Sequence, residues 1–361
     1  MSHHLNIAPL SSWIDLQDRP LVISGPCSAE NEKQVMTTAR EIAKIPQVKV
    51  FRSGLWKPRT RPHYFEGVGA EGLKWLKRVK EETGLMTAVE VASPQHVEIC
   101  LQHEVDILWL GARTVVNPFS VQEITEVLKG VDIPVMIKNP ISPDLKLWMG
   151  AIERVNQAGV TRLIAIHRGF YSLGKSLFRN PPMWEIPVEL KRIIPEIPII
   201  TDPSHICGNR NTLYHISQKA MDLEMDGLMI EAHYNPTRAL TDVEQQISPA
   251  ELEQLLDKLV IRKTAGDEAF QQKLNELRDE VDQLDSEIIE LLSKRLGLVE
   301  EIGKIKKEKN ITILQIKRWN EVFKERLRQG KEQGLNAGFL SKFLEILHNE
   351  AIRIQNEELN G

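Results

Sequence analysis

The sequence predicts an α/β chain, a barrel of eight strand–helix units, followed by an all-α tail of three helices. Three observations carry this. Eight short apolar runs alternate with helix-spaced segments between residue 20 and about residue 262. No G-x-G-x-x-G turn directly follows any of these apolar runs, which weighs against a doubly wound open sheet. Beyond residue 267 proline and strand-like runs both vanish.

The eight runs are PLVISGP, VKVFRSG, LMTAVEV, DILWLGA, PVMIKNP, RLIAIHRG, PIITDPSH and GLMIEAH. Continuous Val, Ile and Leu bounded by Gly and Pro read as parallel strands buried on both faces. Intervening stretches such as ENEKQVMTTAREIAKI and SVQEITEVLKG have helical spacing. Eight such units in this length match a (β/α)8 barrel of the TIM type. The barrel is expected over residues 1–262, a linker over 263–267 and the helical domain over 268–361.

The tail opens on a stripe at three- and four-residue steps: Phe270, Leu274, Leu277, Val281, Leu284, Ile288, Leu291, Leu298, Ile302 and Ile305. That is one long amphipathic helix, too long to cover itself, so it needs a partner helix from this chain or another. Two further helices are expected near 313–333 and 337–357, separated by GKEQGLNAG.

Composition narrows the function. The 361 residues are 42% hydrophobic and 27% charged, enough for a sizeable core. A net charge of −4 gives no reason to expect nucleic acid or an acidic membrane as partner. No 18-residue apolar run spans a bilayer, and MSHHLNIAPL has no apolar signal core. Three scattered cysteines argue against a disulfide framework and for the reducing cytoplasm.

In a barrel of this kind the site lies at the C-terminal strand ends. Those ends read Cys27, Arg52, Glu90, Arg113, Lys138, Arg168, His205 and Glu231. Four cations on one rim imply an anion, and guanidinium forks favour phosphate or carboxylate. The loop KPRTRP adds Lys57, Arg59 and Thr60, where a second phosphate-sized group could bind. Cys27, His205 and Glu231 share the rim, and TRALTD places Asp242 in the loop after the eighth strand. One sulfur, one nitrogen and two carboxylates suit a divalent transition-metal ion such as Mn, Fe, Co or Zn. Cys100 and Cys207 read as bystanders. Strand alternation turns His167 away from its neighbour Arg168, so it reads as structural.

GPCS, KPRT, GAR, IK, HRG, DPSH, IEAH and ALTD, in this order, resemble the type I, β-subgroup 3-deoxy-D-arabino-heptulosonate-7-phosphate (DAHP) synthases over essentially the first 245 residues. The 3-deoxy-octulosonate-8-phosphate synthases share the barrel and the cysteine, and KPRT favours the former. The resemblance implies condensation of phosphoenolpyruvate with erythrose 4-phosphate, with water added and phosphate lost. By motif, Cys27, His205, Glu231 and Asp242 would hold the metal, with Mn named first. Arg113, Lys138 and Arg168 would clamp phosphoenolpyruvate, with Arg52, Lys57 and Glu90 beside it. Arg59 and Thr60 would meet erythrose 4-phosphate. Either Lys138 or Lys57 would donate the proton.

The tail's apolar stripe is interrupted at Arg295, a costly place for a charge unless an anion pairs with it. Lys306 lies on nearly the same face about 16 Å along the axis, so the two could close on one small dicarboxylate. Arg278 lies about 26 Å the other way, too far to join them from the same helix. LRDEVDQLDSEIIELLSKRLGLVEEIGKIK is similar to the first helix of the all-α, intertwined-dimer chorismate mutases. That resemblance covers roughly 268–357 and implies rearrangement of chorismate to prephenate in a homodimer built through the tail. By motif, Arg295 and Arg278 of the partner subunit would bind the carboxylates, and Lys306 and Gln355 the ether oxygen. Arg318 fits the family's second-helix arginine. The chain departs from the pattern at Gln315, at Trp319 in place of a glutamate, and at Ala351 in place of a serine. The fusion also suggests that the tail senses chorismate or prephenate and regulates the barrel.

Overall fold

The computed structural model describes residues 5–16, 20–57, 64–174, 176–263 and 266–360. Arg59 and Thr60 lie outside the described residues. The chain divides into two compact units, Met1–Arg262 and Lys263–Gly361.

The first unit is a closed parallel barrel in which each strand pairs with the next and β1 pairs with β8. The strands are β1 (Leu21–Gly25), β2 (Val48–Arg52), β3 (Met86–Val91), β4 (Ile107–Leu110), β5 (Val135–Lys138), β6 (Leu163–His167), β7 (Ile199–Thr201) and β8 (Gly227–Glu231). All eight arise from the eight apolar runs. Side chains alternate between two cores. Ile23, Val50, Ala88, Trp109, Met136, Ile166, Ile200 and Met229 fill the barrel interior. Val22, Phe51, Val89, Leu108, Ile137, Ala165, Ile199 and Leu228 pack outward with the helices. Burial on both faces is why the runs show no polar alternation.

Several helices start on a polar cap whose side chain accepts a backbone N–H, followed by a proline that has no N–H to leave unpaired. Ser93–Pro94, Asn117–Pro118, Asp202–Pro203 and Ser248–Pro249 are built this way. Leu10 and Ile14, with Trp13 and Leu16 against them, join the inner core and cover the end where the strands begin. Ala8 N–H donates to Thr161 carbonyl there, at 2.9 Å.

His167 occupies the outward face of β6, as alternation predicts. It is fully buried, its Nε2 is 2.6 Å from Pro182 carbonyl, and its ring meets Trp184 edge-on at 4.9 Å. Burial pushes its pKa down from 6.5 to about 4. The unfolded chain therefore binds this proton more tightly than the folded one. The stability involved is complete above pH 6.5 and is lost as pH falls from 6.5 towards 4. A shift of this size is worth ~3 kcal/mol. Denaturant unfolding at pH 7 and pH 5 should show a steeper loss for the parent than for His167→Gln, which cannot titrate. Equal slopes would remove His167 as the source.

The second unit holds helices Glu268–Glu308, Ile316–Glu332 and Ala337–Asn360. The first is an unbroken 41 residues. Its C-terminal half lies against the third helix, and a Cβ on Gly303 would come within 3.1 Å of Glu358 Cβ. Its N-terminal half finds no such cover among the described residues of this unit. Phe270, Leu277, Val281, Leu284, Ile288 and Leu291 are each between 48% and 64% exposed. Leu298, Ile302 and Ile305 of the C-terminal half are 46–60% exposed as well, so the third helix packs on Val299 and Gly303 beside the predicted stripe and leaves the stripe itself exposed.

Candidate active site

Continuing the inward alternation past the inner core gives the next ring: Arg52, Glu90, Lys138, Arg168, Asp202 and Glu231. Gly25 closes the ring on β1, where φ is +148° and a Cβ would sit 2.1 Å from Arg52 carbonyl oxygen. Two of the four rim cations predicted to face an anion are matched by acids at this level. Arg52 Nη1 meets Glu231 Oε1 at 2.8 Å, and both side chains are 1% exposed. Lys138 Nζ meets Asp202 Oδ2 at 3.0 Å. The reason is burial, since a cation this deep needs a counter-charge with or without substrate. Trp109 lies beneath both, its ring centre 4.9 Å from Arg52 Cζ and 5.9 Å from Lys138 Nζ. Its indole N–H donates to Glu90 Oε2 at 3.1 Å.

Above this ring opens a pocket lined by Lys57, Glu90, Arg113, Lys138, Arg168, Arg179, His205 and Asp242. Arg113 sits on the short helix Ala112–Val115 rather than on a strand end. Burial lowers the pKa of Arg168 to about 10, still charged at neutral pH, and its Nη1 is buried with no partner among the described residues. A buried, unmatched guanidinium nitrogen at a pocket wall is suited to an anion.

His205 also lies off the strand, on the turn of helix Pro203–Cys207. Asp202 accepts its backbone N–H at 3.1 Å, and Gly208 ends the turn at φ +66°. Its Nδ1 is 2.7 Å from Asp202 Oδ2 and its Nε2 is 3.8 Å from Glu231 Oε1. Although burial opposes ionisation, His205 and Lys138 hold the Asp202 carboxyl well below the usual range.

Cys27, Glu231 and Asp242 bring ligand atoms within 4.8 Å of one another. Asp242 Oδ2 accepts from Cys27 Sγ at 3.1 Å, and Lys57 Nζ lies 3.2 Å from the same sulfur. Burial, with Glu231 beside it, pushes the Cys27 thiol up to about 12. A coordinated cation reverses that preference. One sulfur and two carboxylates at this spacing fit a divalent transition ion. His205 stands outside the mutual cluster, yet Nδ1 against a carboxylate and Nε2 turned inward is how metal-binding imidazoles are oriented.

Residues 12–266 match the family model described as DAHP synthetase I family. The chain belongs to the DAHP synthetase I family. The chain is 28% identical over 245 residues to a phospho-2-dehydro-3-deoxyheptonate aldolase of Thermotoga maritima, covering 66% of this chain and 70% of that protein. A 2-dehydro-3-deoxyphosphooctonate aldolase of Geobacter sulfurreducens is 27% identical over 260 residues, covering 67% and 92%. Among solved structures, a Thermotoga maritima DAHP synthase superposes with TM-score 0.59 at 27% identity, covering 68% of this chain and 71% of that one. Residues 277–356 match the model described as chorismate mutase type II. The two matches make the chain a bifunctional shikimate-pathway enzyme, a 3-deoxy-7-phosphoheptulonate synthase joined to a chorismate mutase.

In the mutase domain the first and third helices carry most of the predicted residues. Arg295 is exposed, and its charge, after burial, lowers the His348 pKa. Lys306 Nζ donates to Ile313 carbonyl at 2.6 Å, and burial lowers its pKa. Gln355 is buried; its Nε2 donates to Ala351 carbonyl at 3.2 Å and its Oε1 has no partner among the described residues. Arg278 is exposed on the uncovered half of the first helix. Arg318 is exposed, 3.8 Å from Glu321. Trp319 stacks on His348, with centroids 3.8 Å apart and planes at 9°.

Sequence reasoning missed Asp202, Trp109 and Arg179. The first two carried a signal: extending the period-2 alternation from Ile200 and Ile107 reaches both. Arg179 carried none. It sits in an irregular loop after β6, and only the fold brings its Nη1 to 3.0 Å from Asp242 Oδ1.

Proposed function

We propose that the barrel condenses phosphoenolpyruvate with erythrose 4-phosphate in a metal-dependent reaction held by Cys27, His205, Glu231 and Asp242. The observation that carries this reading is the close approach of a buried thiol to two carboxylates beneath a cationic pocket. Arg113, Arg168 and Lys138 hold the carboxylate and phosphate of phosphoenolpyruvate, and fixed cations need no reorganisation as charge shifts. Arg52, matched by Glu231, shapes the floor. The ion, when bound, supplies Lewis-acid stabilisation of the aldehyde oxygen as carbon attacks. Lys57, beside the Cys27 sulfur, is the ammonium best situated to give that oxygen its proton, while Lys138 stays bound to Asp202. KPRT, with Arg59 and Thr60, favours erythrose 4-phosphate over a longer sugar.

In the tail, Arg295, Lys306 and Gln355 act on chorismate, with Arg278 of the partner subunit completing the site. The uncovered apolar half of the long helix supports a homodimer formed there. Prephenate binding at the same site provides feedback on the barrel, and the enzyme works in the cytoplasm.

Exhaustive chelation is expected to abolish synthase activity and leave chorismate turnover intact, and Mn, Fe, Co or Zn should restore the synthase. Full synthase activity after chelation would overturn the metal reading. Chorismate turnover lost with it would show that the chelator damages the whole protein.

A further inference from the structure

The loop that carries Asp242 also carries Gln245, which is 1% exposed and uses both ends of its amide. Its Nε2 donates to Glu231 Oε2 at 2.7 Å. Its Oε1 accepts from Arg179 Nη1 at 2.9 Å, and the same Nη1 donates to Asp242 Oδ1 at 3.0 Å. One bridge therefore holds an oxygen of each carboxylate. The remaining oxygens face the centre. Asp242 Oδ2 is 3.1 Å from Cys27 Sγ, and Glu231 Oε1, which accepts from Arg52 Nη1 at 2.8 Å, is 3.8 Å from His205 Nε2. The amide's polarity fixes the order, because only the NH2 end can meet a carboxylate and only the oxygen can meet a guanidinium. Asp242 itself has φ +46°, an unfavourable conformation that needs such support.

We propose that Gln245 is the positioning residue of the metal centre, holding Glu231 and Asp242 in register so that each presents a single oxygen. The inference rests on the metal reading above. Without the bridge the outer oxygen of Glu231 is released, and the carboxylate can swing to offer both oxygens.

The test is cobalt(II) binding to the full-length apo chain, followed through the thiolate-to-cobalt charge-transfer band and the visible ligand-field bands. The parent should bind one cobalt with a thiolate band. Gln245→Met keeps the length but neither hydrogen bond, and should bind ~10–100-fold more weakly with shifted ligand-field bands. Gln245→Glu keeps the acceptor for Arg179 but loses the donor, and should also weaken binding. Unchanged apo melting and unchanged chorismate turnover in either variant exclude misfolding; should one fail to fold, the other decides. Equal affinity and identical spectra in parent and variant would overturn the proposal while leaving the metal reading standing. A parent that binds cobalt with no thiolate band would overturn both.

Discussion

Exchanging Cys27 for alanine is expected to abolish the synthase reaction while chorismate turnover continues at the parent rate. The thiol is buried among groups that have few alternatives. Its removal takes the sulfur donor from the cluster and leaves Lys57 Nζ and Asp242 Oδ2 facing a void. Loss of a direct ligand should exceed the ~10–100-fold that loss of an outer hydrogen-bond partner costs. Serine, with a harder and shorter donor, should recover only part of the metal affinity. Metal content after dialysis and the synthase rate together check this. An alanine variant that keeps both would assign Cys27 the role of a small apolar filler.

The second large effect concerns Arg295→Ala, which should lower kcat for chorismate rearrangement by ~10²–10³-fold and leave the synthase rate unchanged. A unimolecular rearrangement gives the protein no bond to make, so its contribution is charge placed where the transition state needs it. Lysine keeps the charge but not the planar fork, and should fall between alanine and parent. His348 offers an independent readout. Burial first, then the Arg295 charge, holds its pKa below the ordinary value. Removing that charge should raise the His348 pKa in an NMR titration. Normal turnover in Arg295→Ala would move the chemistry elsewhere in the tail.

The barrel was legible because strands buried on both faces are compositionally unlike anything around them, as β4 and β6 illustrate. The charges along the strands were legible too, but their partners were not. Reading the four rim cations as facing an anion left out that alternation also turns Glu231 and Asp202 inward, where one meets Arg52 and the other Lys138. His205 was placed on a strand end because DPSH follows an apolar run directly, whereas Asp202 begins a helical turn there. Arg179 and the Gln245 bridge depend on loops from different strands meeting, which no local pattern encodes. In the tail the 3.6-residue period gave the helices to within a few residues, but not that Trp319 would lie flat on His348.

The hydrophobic cover formed by Leu10, Trp13 and Ile14 has a consequence for biosynthesis. These residues are made before any strand of the barrel, yet the interior they close does not exist until β8 pairs with β1. Ser24 and Ile230, which bond across that seam, are 206 positions apart. For most of translation the nascent barrel is an open sheet with two unpaired edges and its floor undocked, the sort of species prone to aggregate. Chains halted before Gly227 should therefore need chaperone protection, whereas those that have passed Glu231 clear of the ribosome can complete the ring.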